Sequence, residues 1–379
     1  MTSPKPANIA IVGAGLIGRR HIQHVRDEPQ ANLVAIVEPT PAGKEVASSV
    51  GVPCYASVDD LLAAHERGEI RIDGAIVGTP THTHIQLAIQ FIKAGVHVLV
   101  EKPVALTAKE GEALMEALKA FDGKTKVLVG QHRRFNPFII ALKAALDSGK
   151  LGTVLGMQGT WAVRKGPSEY YTGWHATRSQ GGGTISINMI HDMDLLRHLM
   201  GDMESVFCLE GNRTRGLEVE ETGGFVMKFK SGAVGTFFFS DAAASPFCFE
   251  GATGENPDVV GKAYGRDIYH VFGTKGTISL PSLLLHYYPT QNPIPVSNSI
   301  SNKAGQTDNW LFRMAEDDEY ARMAADLVDK PPFTLQLRHF VRVVNGQEEP
   351  NCSAEEGWKS VRAVEALTES MVGREEVRL

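Results

Sequence analysis

Several classes of protein are excluded by what this sequence lacks. Its 379 residues include only four cysteines, Cys54, Cys208, Cys248 and Cys352, far apart and without a CxxC pair. That argues against a disulfide scaffold, a zinc knuckle or a dithiol redox centre, so no metal is expected and a reduced compartment fits. No run approaches the ~18 consecutive apolar residues of a membrane span. The opening MTSPKPANIAIVGAG has no basic segment followed by an apolar one and a cleavage site, so a cytoplasmic location is expected. Neither sign of charge dominates: 38 Lys and Arg stand against 44 Asp and Glu, a net −6. Such a balance offers no basic footprint to nucleic acid or to an acidic membrane. Internal repeats and low-complexity tracts are also missing.

What remains has the make-up of a globular protein, 43% hydrophobic and 22% charged, and is too long for one ordinary core. Residues 8–132 alternate short apolar runs with helical patterns. The runs are NIAIV, NLVAIVE, PCYA, GAIVGTP, VHVLVEKP and TKVLVGQ. Strands that are apolar throughout and separated by helices predict a parallel sheet covered on both faces. From about residue 150 the pattern changes to long β-rich stretches with glycine turns, such as GGFVMKFKSGAVGTFFFSDAA, where KSGA reads as a hairpin. One helical segment, 181–200, interrupts them, and 288–310 reads as a surface loop. Ser353 and Glu356 have capping-box spacing at the start of a final helix. The expected division is 1–133, an α/β dinucleotide-type domain, and 134–379, an α+β domain with a large, mostly antiparallel sheet. In GTFFFSD, Phe237 and Phe239 point to one face and Phe238 to the other. Apolar residues on both faces lead us to expect a homodimer or homotetramer joined through this sheet.

The chemistry sits in three places. The first is IAIVGAGLIGRR, with Gly13, Gly15 and Gly18 in GxGxxG and Leu16 and Ile17 between them. Glycines here permit a tight turn, a close approach to pyrophosphate and close helix–strand packing. An ordinary glycine turn has the same pattern, but here Glu38 ends the second strand twenty residues after Gly18. An acid at that place accepts ribose hydroxyls and repels a 2′-phosphate. NAD is therefore expected, with NADP kept open by Arg19 and Arg20. The second place is the exit of the fourth and fifth strands. Thr79, Pro80 and His84 of GTPTHTH, then Glu101, Lys102 and Pro103 of LVEKPVALT, fall where a topological switch point opens a crevice. His84 reads equally as a locally bonded helix N-terminal residue, and Glu101–Lys102 as a surface pair. The Lys102–Pro103 bond can be cis or trans. The third place is GGGTISINMIHDMDLLRHLMG. Ile185, Met189, Met193, Leu196 and Met200 form an apolar face, and Thr184, Asn188, His191 and His198 a polar one. An imidazole there can be a general base or an ordinary core histidine.

In this order, the glycine fingerprint, EKP and Gly-Gly-Gly…His-Asp-x-Asp closely resemble the Gfo/Idh/MocA oxidoreductase family over essentially the whole chain. The resemblance implies hydride transfer between NAD or NADP and a secondary alcohol or carbonyl of a sugar, polyol or related cyclic compound. It makes Lys102 the group that holds the oxygen and His191 the base. Many members carry an aspartate four residues before that histidine, where this chain has Ile187; Asn188 is the nearest polar substitute, and Asp194, three residues after the histidine, is a further candidate carboxylate. The segment 161–183 offers Trp161, Arg164, Lys165, Tyr170, Tyr171, Trp174 and His175. Of these, Trp161, Arg164 and His175, with Asn188, are the expected substrate contacts. A same-fold reductase of a non-sugar and a nucleotide-sensing regulator are the alternatives, the latter having no need of both Lys102 and His191.

Overall fold

Runs of Val, Ile, Leu and Ala build the first sheet of the protein, a computed structural model that describes residues 5–121, 124–166, 171–256, 266–288 and 314–379. Tyr170 and nearly all of the expected loop at 288–310 lie outside the described residues. The six strands are β1 (Ala7–Val12), β2 (Ala31–Val37), β3 (Cys54–Tyr55), β4 (Gly74–Val77), β5 (His97–Val100) and β6 (Val127–Val129). All pairings are parallel, in the order β3-β2-β1-β4-β5-β6. Helices α1 (Leu16–Asp27), α2 (Pro41–Val50), α3 (Val58–Glu66), α4 (His84–Lys93) and α5 (Ala108–Ala120) alternate with the strands. Ile9, Ile11, Ile36, Ile76 and Leu99 are fully buried between the layers, which is why these strands are apolar on both faces. Thr40, Ser57 and Thr107 each accept a backbone hydrogen bond as N-caps of α2, α3 and α5. The order reverses between β1 and β4, so a crevice opens at their carboxyl ends.

After α6 (Pro137–Asp147) comes the second sheet. It contains β7 (Val154–Ala162), β8 (Met203–Glu210), β9 (Thr222–Phe229), β10 (Val234–Ser240), β11 (Tyr269–Gly273), β12 (Gly276–Leu280), β13 (Leu285–Tyr287), β14 (Ala315–Asp317) and β15 (Val377–Arg378). They lie in the order β14-β13-β12-β11-β7-β10-β9-β8-β15. Only β7 and β10 pair in parallel; the other pairings are antiparallel. The expected hairpin joins β9 to β10, closed by Phe229 N–H to the Ala233 carbonyl at 2.9 Å. Phe237 and Phe239 are buried, with Phe225 stacked on Phe237 at 5.1 Å, while Phe238 is exposed. The alternation thus holds. Helix α7 (Ile190–Met200) packs under this sheet, with α8 (Phe249–Thr253) and α9 (Glu319–Ala325) beside it.

Two C-terminal helices, α10 (Pro332–Val344) and α11 (Ala354–Gly373), return to the first sheet. Leu337, Phe340, Val341, Ala354 and Val361 complete its core, and Ala363, Ala366, Leu367 and Met371 of α11 belong to the core of the second. One helix therefore serves both cores and fixes how the sheets face each other. Ser353 caps it as its spacing predicts, accepting from Glu356 N–H at 3.3 Å.

Candidate active site

The crevice begins at the glycine turn. Gly13 has φ +93°, and a Cβ there would lie 2.8 Å from the Gly78 carbonyl oxygen. At Gly18 a Cβ would fall 2.0 Å from the Gly13 carbonyl oxygen, whereas at Gly15 it would meet nothing within 4 Å. Gly13 and Gly18 are thus needed for packing, and Gly15 leaves the start of α1 open. Leu16 is 94% exposed there and Ile17 half-buried. Backbone donors and the positive helix end face this opening, so the turn fits a pyrophosphate. Glu38 accepts hydrogen bonds from Ala14 N–H at 2.9 Å and Thr40 N–H at 3.2 Å. Burial opposes its ionisation, but these donors outweigh burial and hold the carboxyl below its ordinary range. Sequence reading missed Gly43, where a Cβ would lie 1.7 Å from Glu38 Cγ. A glycine three residues after an N-cap was the available signal. Arg19 turns back to the Ala14 carbonyl at 3.1 Å, and Arg20 lies over the Phe333 ring at 4.9 Å.

Beside it, Thr79 and Pro80 leave β4, and the Thr79 hydroxyl meets that of Thr83 at 2.6 Å. His84 is buried with both ring nitrogens at backbone carbonyls, Nδ1 2.9 Å from Pro103 and Nε2 2.8 Å from Thr79. It ties the loops after β4 and β5 together. The Lys102–Pro103 bond is cis. Glu101 is buried, with one oxygen 2.7 Å from His21 Nε2 and the other accepting from Lys102 N–H at 3.1 Å. The contact with His21 anchors the turn on α1. Lys102 is half-buried, and its ammonium has no hydrogen-bond or ion-pair partner within contact distance among the described residues. Burial draws its pKa down, and the charge of Glu101 offsets part of this.

The third wall does not follow the expected helical stripe. Residues Ile185–Met189 form a π-helical turn that leads into α7, and such turns shift every following side chain. Ile185, Met189, Met193, Leu196 and Met200 are buried as expected. The polar set separates: the Thr184 hydroxyl donates to the Glu220 carbonyl at 3.1 Å, and Asn188 Oδ1 accepts from Lys165 Nζ at 2.6 Å. His198 lies by Arg134 and Asp194, and burial first, then Arg134, push its pKa down to about 4. His191 is buried, edge-on to His132 at 5.3 Å, and its Nδ1 has no hydrogen-bond partner among the described residues. Burial, then the charges of Lys102, Arg133, His132 and Lys165, hold its pKa well below 6.5. The result is an imidazole that resists protonation within the electrostatic reach of Lys102. Asp194 takes no part in it: Arg134 grips both its oxygens at 2.8 and 2.7 Å, and Ser360 donates at 2.9 Å.

Sequence reading also missed the floor of the crevice. His132 and Arg133 leave β6, in GQHRRFNP, as Glu101 and Lys102 leave β5; polar residues directly after a buried strand were the signal. Arg133 reaches Glu255 at 3.1 Å and Glu250, and lies over Phe249 at 4.4 Å. His132 stacks on Phe333 at 4.5 Å and approaches Glu255 at 3.2 Å. Buried Asp192 accepts from the Tyr269 hydroxyl, and burial pushes its pKa up to about 7. Of the expected substrate contacts, Trp161 is buried with Nε1 donating to Glu250 at 3.0 Å. Arg164 is exposed, and its neighbour Lys165 turns inward, 5.7 Å from the Trp161 ring centre. His175 is half-buried and stacks on Trp174 at 3.8 Å. Among the described residues no group of three or more His, Cys, Asp or Glu is arranged to hold a metal ion, and no helix is long and apolar enough to cross a membrane.

Comparison with known proteins agrees with this fold. The family described as "Oxidoreductase family, NAD-binding Rossmann fold" matches residues 7–130, and the "GFO/IDH/MocA C-terminal domain" matches residues 139–279. The chain belongs to the Gfo/Idh/MocA oxidoreductase family. Among its Gfo/Idh/MocA relatives, "Inositol 2-dehydrogenase" of Rhizobium meliloti is 33% identical over 193 residues. That match covers 51% of this chain and 54% of the relative, so the chain spans about half the length of that protein. "Myo-inositol 2-dehydrogenase" of Thermotoga maritima is 25% identical over 380 residues, 98% of either chain. The solved WlbA dehydrogenase from Bordetella pertussis, in complex with NADH and UDP-GlcNAcA, superposes with a TM-score of 0.74 at 21% identity. It covers 100% of this chain and 99% of its own, a likeness of fold.

Proposed function

We propose that this protein is an NAD-dependent dehydrogenase or reductase for a secondary alcohol or carbonyl of a sugar, polyol or related cyclic compound. The observation that carries the proposal is the placing of buried His191, edge-on to His132, at the crevice of a dinucleotide-type sheet where Lys102 leaves β5. Gly13, Gly15, Leu16, Ile17, Gly18, Glu38, Thr79, Pro80 and Glu101–Lys102 hold the cofactor, with His84 fixing the two loops. When bound, NAD accepts or returns the hydride. His191 takes the hydroxyl proton, and being neutral it is ready to do so near pH 7. Lys102 donates to the reacting oxygen and favours negative charge on it. Asn188, Trp161, His175 and Arg164 lie on the substrate side, Arg164 at its exposed rim. With the division at 133/134, the first unit holds the nucleotide and the second the substrate; the reaction takes place in the cytoplasm.

Cofactor choice tests the nucleotide side. Glu38 is held ionised by two backbone donors, and Arg19 and Arg20 are engaged elsewhere. A 2′-phosphate beside that carboxylate meets like-charge repulsion. With a panel of aldoses, inositols and polyols as substrates, kcat/KM is expected to favour NAD. A preference of about tenfold or more for NADP, some 1.4 kcal/mol, would contradict the assignment of Glu38.

We also infer a homodimer or homotetramer through the outer face of the second sheet. Phe238, Val234, Val226 and Leu209 of three neighbouring strands are each about half exposed there, an apolar surface suited to a second copy. Light scattering at micromolar concentration should give two or four chain masses, and Phe238→Glu should lower that number. A monomeric wild type would rule the assembly out.

A further inference from the structure

His191 shares its wall with a second imidazole, supplied by the turn after β6. The ring of His132 is stacked on Phe333 of α10 at 4.5 Å. Phe333 is packed in turn by three side chains of α1: His21 edge-on at 5.7 Å, His24 stacked at 5.8 Å, and Arg20 at 4.9 Å over its ring. Two helices therefore fix the plane of His132. In that plane it stands 5.3 Å from His191, with 80° between the rings.

The two nitrogens of His132 have different surroundings. Nε2 stands 3.2 Å from Glu255 Oε1, an ion-pair distance reached at an angle short of a hydrogen bond. Burial opposes ionisation of Glu255, but Arg133 and then His132 outweigh it and hold the carboxyl down at about 2. An ionised carboxylate can only accept, so it draws the proton of a neutral His132 to Nε2 and leaves Nδ1 a bare acceptor. His132 Nδ1 and His191 Nδ1 are both buried, and neither has a hydrogen-bond partner among the described residues. Both are satisfied at once if one donates to the other, directly or through one water. Contacts of this kind are commonly long or off-line before substrate binds and tighten afterwards. The other acids nearby serve elsewhere: Asp192 accepts from Tyr269, Asp194 holds Arg134, and Glu101 holds His21.

We propose that Glu255 and His132 fix the tautomer of His191. Glu255 accepts from His132 Nε2–H, and His132 Nδ1 accepts from His191 Nδ1–H. His191 Nε2 is left with the lone pair that takes the hydroxyl proton as the substrate O–H bond breaks. The positive charge that this leaves on His191 is steadied through its Nδ1–H. Glu255 and His132 are thus positioning residues that act through His191, and the proposal rests on the dehydrogenase reading of that residue.

The test reads the tautomer directly. Nitrogen-15 spectra of the histidine-labelled full-length protein at neutral pH, with His191→Gln to identify the signals, should show the His191 proton on Nδ1. His132→Phe keeps an aromatic ring on Phe333 but removes both nitrogens. It should move the His191 proton towards Nε2 and lower kcat roughly tenfold or more with the best substrate among aldoses, inositols and polyols. KM and the affinity for NADH should change far less. His132→Asn, which returns an accepting oxygen near the place of Nδ1, should recover part of kcat. A wild-type His191 with its proton on Nε2, or a His132→Phe protein with tautomer and kcat unchanged, would overturn the proposal and leave the dehydrogenase reading standing. No turnover of any panel member by the wild type would contradict the dehydrogenase reading, and the tautomer signal would still decide the arrangement of the two histidines.

Discussion

Lys102→Ala and His191→Ala are each expected to lower kcat by roughly 10²-fold or more, the usual scale for losing acid–base help. Affinity for NADH should change far less, because the glycine turn and Glu38 lie on another wall of the crevice. Asn188→Ala should cost less than either, since its amide meets Lys165 rather than His191. The pH profile adds a sign. His191 is held well below 6.5 by burial and the nearby cations, so the base stays unprotonated and oxidation should hold its rate from neutral pH to below 6.5. Stability follows the same direction. As pH falls past 6.5 the unfolded chain binds a proton that folded His191 refuses, so the fold should weaken on the acid side. Ile187→Asp would place a carboxylate where many relatives have one, and should move the acid limb upward. Steady-state rates across pH for the four variants check this, with NADH fluorescence titration as the control. A stable Lys102→Ala protein with full turnover would defeat the assignment.

Asp194→Ala should act on stability instead. Arg134 is almost fully buried and both oxygens of Asp194 pair with it. Removing the carboxylate leaves a buried guanidinium with only the Asn351 carbonyl and a longer contact to Glu356. Breaking such a pair costs about 3–5 kcal/mol. Urea unfolding should show a loss of that order, while the pH–rate profile of whatever folded enzyme remains should keep its shape. A stable Asp194→Ala variant with a displaced acid limb would instead make Asp194 the carboxylate that serves His191.

Much of the fold was legible because its signals are local. Strands such as Ala7–Val12 and His97–Val100 announce themselves by continuous apolar runs, and Ser353–Glu356 by cap spacing. The candidate site was legible where polar or glycine residues follow directly on a buried strand, as at Gly13, Glu38 and Lys102. It was less so where one residue of register decides the outcome. Arg164 and Lys165 are neighbours, yet one faces solvent and the other the pocket. The stripe from Thr184 to His198 assumed an uninterrupted α-helix, and the π turn at Ile185–Met189 breaks it. Arg134 and Asp194 are 60 residues apart, and the return of α10 and α11 to the first core joins distant segments; no sequence period encodes such contacts.

The central claim is that this crevice moves a hydride to or from a carbon that bears oxygen. The most direct measurement offers the enzyme NAD⁺ and the best substrate of the panel with deuterium on the reacting carbon. Mass spectrometry should find the label on the nicotinamide ring, and the label transfer should vanish in Lys102→Ala. Tight binding of NADH with no label transfer from any aldose, inositol or polyol of the panel would contradict the account and favour a nucleotide-sensing protein.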